Sequence, residues 1–262
     1  MEQVSPDAES SRPGGLIGAV DNVLRLLRLF EDHEMIRVNQ VAREMGLSRS
    51  TVHRMLATLS HHQFVEQDEL SRAYKPGPAL VDIGLSVVSK IEIRAISHTA
   101  LVSLRDLTGE TAHLGIMRGA ASVVFLDSVE SDRIVRTGSR IGRIMPAHST
   151  ATGKVLLAER TDEEVAALYP SGVLEAPTSR TLTTVEELLE QLAEVRRLGY
   201  AVNHGESEDD VAAVAAAVRD QRGRIRAALV TTAPVSRADD AWVKSAAAAT
   251  MRVARELSDR AG

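Results

Sequence analysis

Apolar residues near the start of the chain recur at helical spacing in three stripes: Val20, Val23, Leu24, Leu27 and Phe30; Val38, Val41, Ala42 and Met45; Val52, Met55, Leu56 and Leu59. Between the second and third stripes stands Gly46, where a sharp turn needs a residue that takes positive φ without steric cost. Ser48 follows as an N-cap, placed to accept the amide of Thr51 and start the next helix. Small Ala42 lets the two helices approach, and Leu47 and Val52 fill the angle between them. Residues 38–59 therefore read as a helix-turn-helix, whose second helix is the one that enters a DNA major groove. Residues 64–67 and 73–75 are short extended runs flanking a polar turn, which predicts a β-hairpin in the position of a wing. On such a wing Arg72, Tyr74 and Lys75 are expected at the backbone of the adjacent minor groove.

Helical periodicity restarts at residues 78–89 with Leu80, Ile83, Val87 and Val88, opened by Pro78 in the first turn. That helix connects two domains, its apolar surplus serving either as an interface or as packing on its own domain. Residues 93–107 continue as a second amphipathic helix, ended by Gly109. From Thr111 the period changes to strand: residues 111–117 and 122–129 flank the turn RGAA, and residues 134–137 read as another strand. A loop carrying Gly142 and Pro146 leads to a helix over 151–158. Thr161 with Glu164, and Thr184 with Glu187, each spell a capping box and place helices at 162–168 and 185–198, the latter stopped by Gly199. Strands at 200–203, 211–219 and 225–232 and a long helix at 239–257 complete the chain. Strands joined as hairpins, with helices at the ends, predict an antiparallel α+β domain and not the βαβ alternation of a nucleotide-binding sheet.

A length of 262 residues with 44% apolar positions suits two domains with a core each. The expected division is a disordered tail at 1–15, a winged helix-turn-helix at 16–77, a linker helix at 78–92 and a second domain at 93–262. The tail is rich in Ser, Pro, Gly and acids; the alternative, an arm into the minor groove, has only Arg12 as a base. With no cysteine, disulfides, thiolate metal sites and cysteine nucleophiles are excluded. No apolar run is long enough for a membrane span and no signal-peptide pattern opens the chain, so a soluble cytoplasmic protein is expected, with no membrane partner.

A net charge of −5 argues against nonspecific coating of nucleic acid but leaves room for a local basic surface. That surface is the outer face of the second helix of the helix-turn-helix, with Arg49, Ser50, Thr51, His53 and Arg54, then Thr58 and His61, and no acid from Ser48 to Val65. Guanidinium binds guanine edges bidentately, and small hydroxyls and amides hold phosphates. The alternative is an ordinary solvated helix face.

For catalysis the chain has no Walker loop, GxSxG, HExxH or GxGxxG. His98, His113, His148 and His204 are scattered, and Glu206, Glu208, Asp209 and Asp210 form an acidic cluster. A metal-dependent hydrolase would gather His113, His148, His204 and Glu206, but none has the spacing of ligands on one helix face, so neither a metal nor another cofactor is expected. The loop PAHSTATGK, residues 146–154, serves binding better: small residues and a glycine expose amides at a helix start, a geometry suited to a carboxylate. It can also be a plain strand-to-helix connection.

The segments AVDNVLRLLRLF, GLSRSTVHRMLATL and YKPGPALVDIG, followed by GETAHLGIM, VVFLDSVES, GSRIGRIMPAHSTATGKVLLA, VRRLGYAVNHGESE and AAVRDQRGRIRAALVTTAP, resemble the IclR family of bacterial transcriptional regulators in the same order and at similar spacing. The resemblance runs from about residue 20 to the C-terminus. It implies an α+β protein with an N-terminal winged helix-turn-helix domain, a connecting helix and a C-terminal antiparallel, GAF/profilin-like effector-binding domain. It implies a non-enzymatic regulator on pseudo-palindromic double-stranded operator DNA, working as a homodimer or a dimer of dimers and responding to a small-molecule effector, an organic acid. Arg49, Ser50, Thr51, His53 and Arg54 then carry DNA contact, with Arg72 and Lys75 on phosphates. By the same resemblance Met145, Thr150, Ala151, Asn203, Ala213, Val230 and Thr232 fall on pocket-lining positions, and His148 in the same loop is a candidate donor. The chain departs from the family where an acidic residue is common at Asn203, cysteine at Ala213, glycine at Asp210 and proline at Ala217. Losing a thiol and a carboxylate while gaining an amide changes the pocket's hydrogen-bonding code, so the effector cannot be copied from a relative. Two other functions stay open: the hydrolase with an accessory DNA-binding domain, and a structural DNA-binding protein with no effector.

Overall fold

The structure is a computed structural model that describes residues 17–89 and 92–260. The expected tail at 1–15 lies outside them. The chain forms two compact units that divide between Val87 and Val88, inside the expected linker.

In the N-terminal unit, α1 (Gly18–Arg28) runs into a short 3-10 turn, and α2 (Val38–Met45) and α3 (Arg49–His61) form the helix-turn-helix. Gly46 has φ 65° and ψ 30°, and the amide of Leu47 reaches back to the carbonyl of Ala42 at 3.0 Å, so the corner closes on the first helix's own last turn. Ser48 Oγ accepts the amide of Thr51 at 3.1 Å and satisfies one of the donors that α3 would otherwise leave open. Val52, Met55, Leu56 and Leu59 are buried with Leu26, Val41, Ala42 and Met45 in one core. The hairpin is β1 (Val65–Gln67) paired antiparallel with β2 (Tyr74–Pro76). Ile36 and Tyr74 exchange amide-to-carbonyl bonds, both 2.8 Å, so an isolated bridge from the segment before α2 anchors the wing. Tyr74 is therefore buried in the core, a correction to its expected place at the DNA backbone. Then α4 (Pro78–Ser89) follows.

Among the described residues the C-terminal unit builds a six-stranded antiparallel sheet. Its strands are β3 (Thr111–Arg118), β4 (Ser122–Val129), β5 (Ile144–Pro146), β6 (Tyr200–His204), β7 (Val211–Arg219) and β8 (Ile225–Pro234), in the order β5-β4-β3-β8-β7-β6. Residues 134–137 form no strand; the third extended run is β5, and Ile134 stands almost fully exposed in the intervening loop. The chain bends at 132–135, and the side chain of Arg136, within the expected strand, spans the bend to Glu130 at 2.8 Å and the carbonyl of Arg133 at 3.3 Å.

Both faces of the sheet are covered. On one lie α5 (Glu92–Thr108) and α9 (Asp240–Ser258), whose Leu101, Leu104, Val253 and Leu257 pack on Leu114, Val218 and Leu229. On the other lie α6 (Ala151–Leu157), α7 (Asp162–Leu168) and α8 (Val185–Leu198), with Val155, Leu188 and Leu192 against Val123, Ala215 and Val230. Double burial explains the unbroken run VAAVAAAV in β7: neither face meets water, and small side chains admit a helix on each side. Both expected capping boxes form at the starts of α7 and α8.

Helix α6 is buried along its whole length and held close to the loop before it. A Cβ on Gly153 would sit inside the backbone envelope of Ala147, at its carbonyl oxygen and its Cα. Gly153→Ala is therefore expected to destabilise the C-terminal unit by about 2 kcal/mol or more, because backbone and not a flexible side chain must move. Trp242, the chain's single tryptophan, packs in this unit and reports its urea unfolding. An unchanged midpoint contradicts the close-packing account.

Candidate nucleic-acid interface and ligand cavity

The stripe that α3 buries leaves Arg49, Ser50, Thr51, His53, Arg54 and Thr58 on its exposed face. Among the described residues, no ion pair or hydrogen bond engages the side chains of Arg49, His53 or Arg54. Ser50 Oγ and Thr51 Oγ1 each lie 2.9 Å from Ser48 Oγ, so these hydroxyls belong to the cap as well as to the exposed face. On the wing, Arg72 is exposed at φ 56°, in a turn that Asp68 closes by accepting the amide of Ser71 at 2.7 Å. Lys75 is also exposed and pairs with Glu66 across the hairpin at 3.2 Å. The wing tip also carries Glu69 and a nearly fully exposed Leu70, so its charge is mixed where that of α3 is uniformly basic.

In the C-terminal unit, pairing register gathers a second site. Ala213 lies opposite Thr232, and His113 opposite Val230, which places side chains of β3, β7 and β8 on the sheet face that α6 covers. There a cavity of about 20 Å³ is lined by Phe125, Arg140, Met145, Thr150, Ala151, Thr152, Asn203, Ser207, Val211, Ala213, Val230 and Thr232. Seven residues singled out from the sequence, Met145, Thr150, Ala151, Asn203, Ala213, Val230 and Thr232, therefore surround one space. His148 is not on that lining. Its Nε2 lies 2.7 Å from the carbonyl of Glu175, and its ring meets Tyr169 edge-on, with centroids 5.8 Å apart.

Asn203 is fully engaged. Its Nδ2 donates to the carbonyl of Ser149 at 2.6 Å and to Ser207 Oγ at 3.0 Å, and its Oδ1 accepts the amide of Glu206 at 3.1 Å. The amide thus ties the 203–207 segment to the 146–150 loop. Thr150 Oγ1 takes the amide of Gly153 at 3.0 Å, so the start of α6 is capped from within. Arg140, Phe125, Thr152, Ser207 and Val211 were not legible as lining residues. Arg140 and Ser207 sit in loops with no periodicity to orient them, and Phe125, Thr152 and Val211 face inward only because of strand register and helix packing.

The histidines and acids of the hydrolase reading do not assemble. His113 is buried on the sheet, His204 is exposed at the end of β6, and Glu206 bonds the buried Lys154 Nζ at 2.5 Å. Glu208 bonds Arg140 at 2.5 Å and Arg143 at 2.7 Å. The acidic cluster is thus divided between separate cations. Among the described residues no group of three or more such side chains could hold a metal ion.

Two family profiles match this chain: the one described as "IclR helix-turn-helix domain" over residues 19–69, and "Bacterial transcriptional regulator IclR C-terminal" over residues 85–259. The chain belongs to the IclR family of bacterial transcriptional regulators. The HTH-type transcriptional regulator XynR of Escherichia coli strain K12 is 37% identical over 227 residues, 86% of this chain and 90% of that protein. The crystal structure of an IclR-family regulator from Alicyclobacillus acidocaldarius superposes with a TM-score of 0.82 at 28% identity, covering 94% of this chain and all of that one. An IclR homologue from Microbacterium hydrocarbonoxydans, complexed with 4-hydroxybenzoate, has a TM-score of 0.75 at 22% identity, covers 91% of this chain and 99% of that one, and supports the fold. The IclR family consists of DNA-binding transcriptional regulators and not of enzymes. Among the described residues no helix is long and apolar enough to cross a membrane.

Behind the cavity of this IclR-family chain, burial followed by the nearby Arg140 guanidinium pushes His113 down from its ordinary 6.5 to about 3. Its Nε2 lies 3.1 Å from Thr232 Oγ1, which holds the neutral ring in place. The unfolded chain takes a proton near pH 6.5 while the folded chain does not. Stability is therefore complete above pH 6.5 and falls as the pH drops towards 3, by up to about 1.4 kcal/mol per unit from this residue. Followed by Trp242 fluorescence in urea, wild type is expected to lose on the order of 2 kcal/mol more than His113→Gln between pH 7 and pH 5. Equal losses contradict the assignment of a neutral buried imidazole.

Proposed function

We propose that this regulator reads a pseudo-palindromic operator with α3, Arg49, Ser50, Thr51, His53 and Arg54 meeting base edges and phosphates and Arg72 and Lys75 bracing the backbone from the wing. The observation that carries this reading is the acid-free outer face of α3, on which Arg49, His53 and Arg54 stand exposed and unpaired among the described residues. One such helix spans only a few base pairs, so useful specificity needs at least two copies on one site. Support for pairing comes from exposed apolar side chains in the same unit: Ile17, Val20 and Leu24 form a stripe on and just before α1, and α4 exposes Val81 and Ile83. The exposed Ile134, Val135 and Ile141 of the C-terminal unit offer a second apolar surface, consistent with a dimer of dimers. The working place of such a protein is the cytoplasm, beside its operator.

The ligand in this reading is a small organic acid held in the C-terminal cavity, and its binding changes operator affinity by a coupling of about 1 to 3 kcal/mol. A relative of the same fold carrying 4-hydroxybenzoate, itself a carboxylate, supports the class. At about 20 Å³ the cavity holds roughly one water, so a metabolite enters by moving part of the wall.

Arg54→Ala is expected to weaken binding to an operator duplex by about 1 to 3 kcal/mol, the loss of one bidentate base contact. A gel-shift titration measures this, and wild-type affinity for the variant contradicts the role of α3.

A further inference from the structure

We propose that Arg140 is the anchor for the effector's carboxylate, and that it takes this ligand by releasing Glu208, whose own carboxylate passes to Arg143. This inference rests on the effector reading of the cavity and specifies how the site works. Among the described residues lining the cavity, Arg140 alone carries a formal charge; the rest are apolar, hydroxyl or amide side chains. It is only 6% exposed. The start of α6, the anion site expected from the loop sequence, is capped by Thr150, whereas the guanidinium is incompletely used. Its Nη2 donates to Glu208 Oε2 at 2.5 Å, but Nη1 faces Met145 Sδ at 3.3 Å. A thioether is a weak acceptor, so one edge of a five-donor fork lacks a strong partner. A carboxylate offers two strong acceptors in the geometry that fork fits.

Charge then decides what else must happen. Arg140 and Glu208 are neutral as a pair, and a second carboxylate on the same guanidinium would leave two anions side by side away from bulk water. Glu208 has another partner ready. Its Oε1 lies 2.7 Å from Arg143 Nη1, its side chain is 32% exposed, and that of Arg143 is 56% exposed. It can swing outward without becoming an unpaired buried charge, which would otherwise forbid the exchange. Glu208 also lies in the chain between Ser207 and Val211, both of which form the cavity wall. Its departure and the opening of the wall are thus one movement, and a ligand without a carboxylate cannot drive it. The favoured ligand is a compact monocarboxylate whose apolar remainder faces Phe125, Met145 and Val230.

The test uses the full-length protein with formate, acetate and 4-hydroxybenzoate as probes, against formamide, acetamide and 4-hydroxybenzamide, followed by thermal unfolding and titration calorimetry. The carboxylates are expected to raise the midpoint of wild type and the amides not to. Glu208→Gln, with the competing anion removed, is expected to bind the same carboxylates about tenfold tighter. The pair Arg140→Gln with Glu208→Gln leaves no unpaired charge in the buried wall, since Arg143 is 56% exposed, and, once its circular dichroism matches wild type, is expected to lose the carboxylate shift. Carboxylate binding that survives in that pair, or that is no tighter in Glu208→Gln, overturns Arg140 as the anchor and leaves an effector site standing. So does a shift produced equally by acid and amide. If neither acids nor amides move the midpoint or operator affinity in wild type or Glu208→Gln, both the anchor and the effector reading fall.

Discussion

The N-terminal unit depends on one commitment: Val52, Met55, Leu56 and Leu59 of α3 face its core, and burial of each contributes about 2 kcal/mol that only this orientation of the helix can capture. Rotating α3 to hide Arg49 and Arg54 would place guanidinium groups among Leu26, Ile36 and Val41, a core in which none of the described residues supplies a buried carboxylate. The helix is therefore fixed in roll by its apolar side. Its cationic side follows as the remainder, held outward by the cost of the alternative. Gly46 and Ser48 fix the other coordinates, the corner angle and the start of the helix, and the Ile36–Tyr74 pairing sets the wing beside it. What emerges is a rigid basic ridge with a hairpin at its flank.

A different constraint governs the C-terminal unit. A sheet covered on both faces leaves little free volume, and the small residues of β7 together with Gly153 let α6 lie almost on the strands. Such packing yields a cavity of about 20 Å³ where twelve residues converge, lined by a charged group with an ill-matched partner in Met145. Tight packing and a readily exchanged ion pair are complementary properties here. In the proposed exchange the close-packed walls carry a displacement, and the Arg140–Glu208–Arg143 arrangement is where it would begin without a charge being stranded.

Most of the N-terminal unit was legible in the sequence because its determinants are local. The stripe spacing, Gly46, Ser48 and the hairpin turn each act within a few residues of themselves. The misreadings were of more than one kind. Tyr74 looks like an exposed wing aromatic until Ile36, far upstream, pairs with it. Residues 134–137 have strand composition, yet the chain bends at 132–135, spanned by the Arg136–Glu130 side-chain pair, and the sheet edge goes to β5 instead. In the candidate cavity, resemblance alone supplied seven of the lining positions, since nothing in the spacing of Met145, Asn203 and Thr232 brings them together. Arg140 was invisible for the same reason: a lone arginine in an irregular loop looks solvated until the fold closes over it. His148 is the opposite case, a loop histidine beside the cavity in sequence whose ring lies against Tyr169 and the carbonyl of Glu175.

The central claim is that the outward face of α3 is the surface that touches DNA, and site-directed photocrosslinking tests it most directly. A duplex enriched from a random pool by the full-length protein would be mixed with protein carrying a photoreactive side chain in place of His53, or in place of Asp240 at the start of α9 as a control. The account predicts efficient protein–DNA crosslinks from position 53 and none from position 240, with the position-53 yield falling as salt is raised. Failure to enrich any sequence, or crosslinks from position 240 with none from position 53, would contradict it.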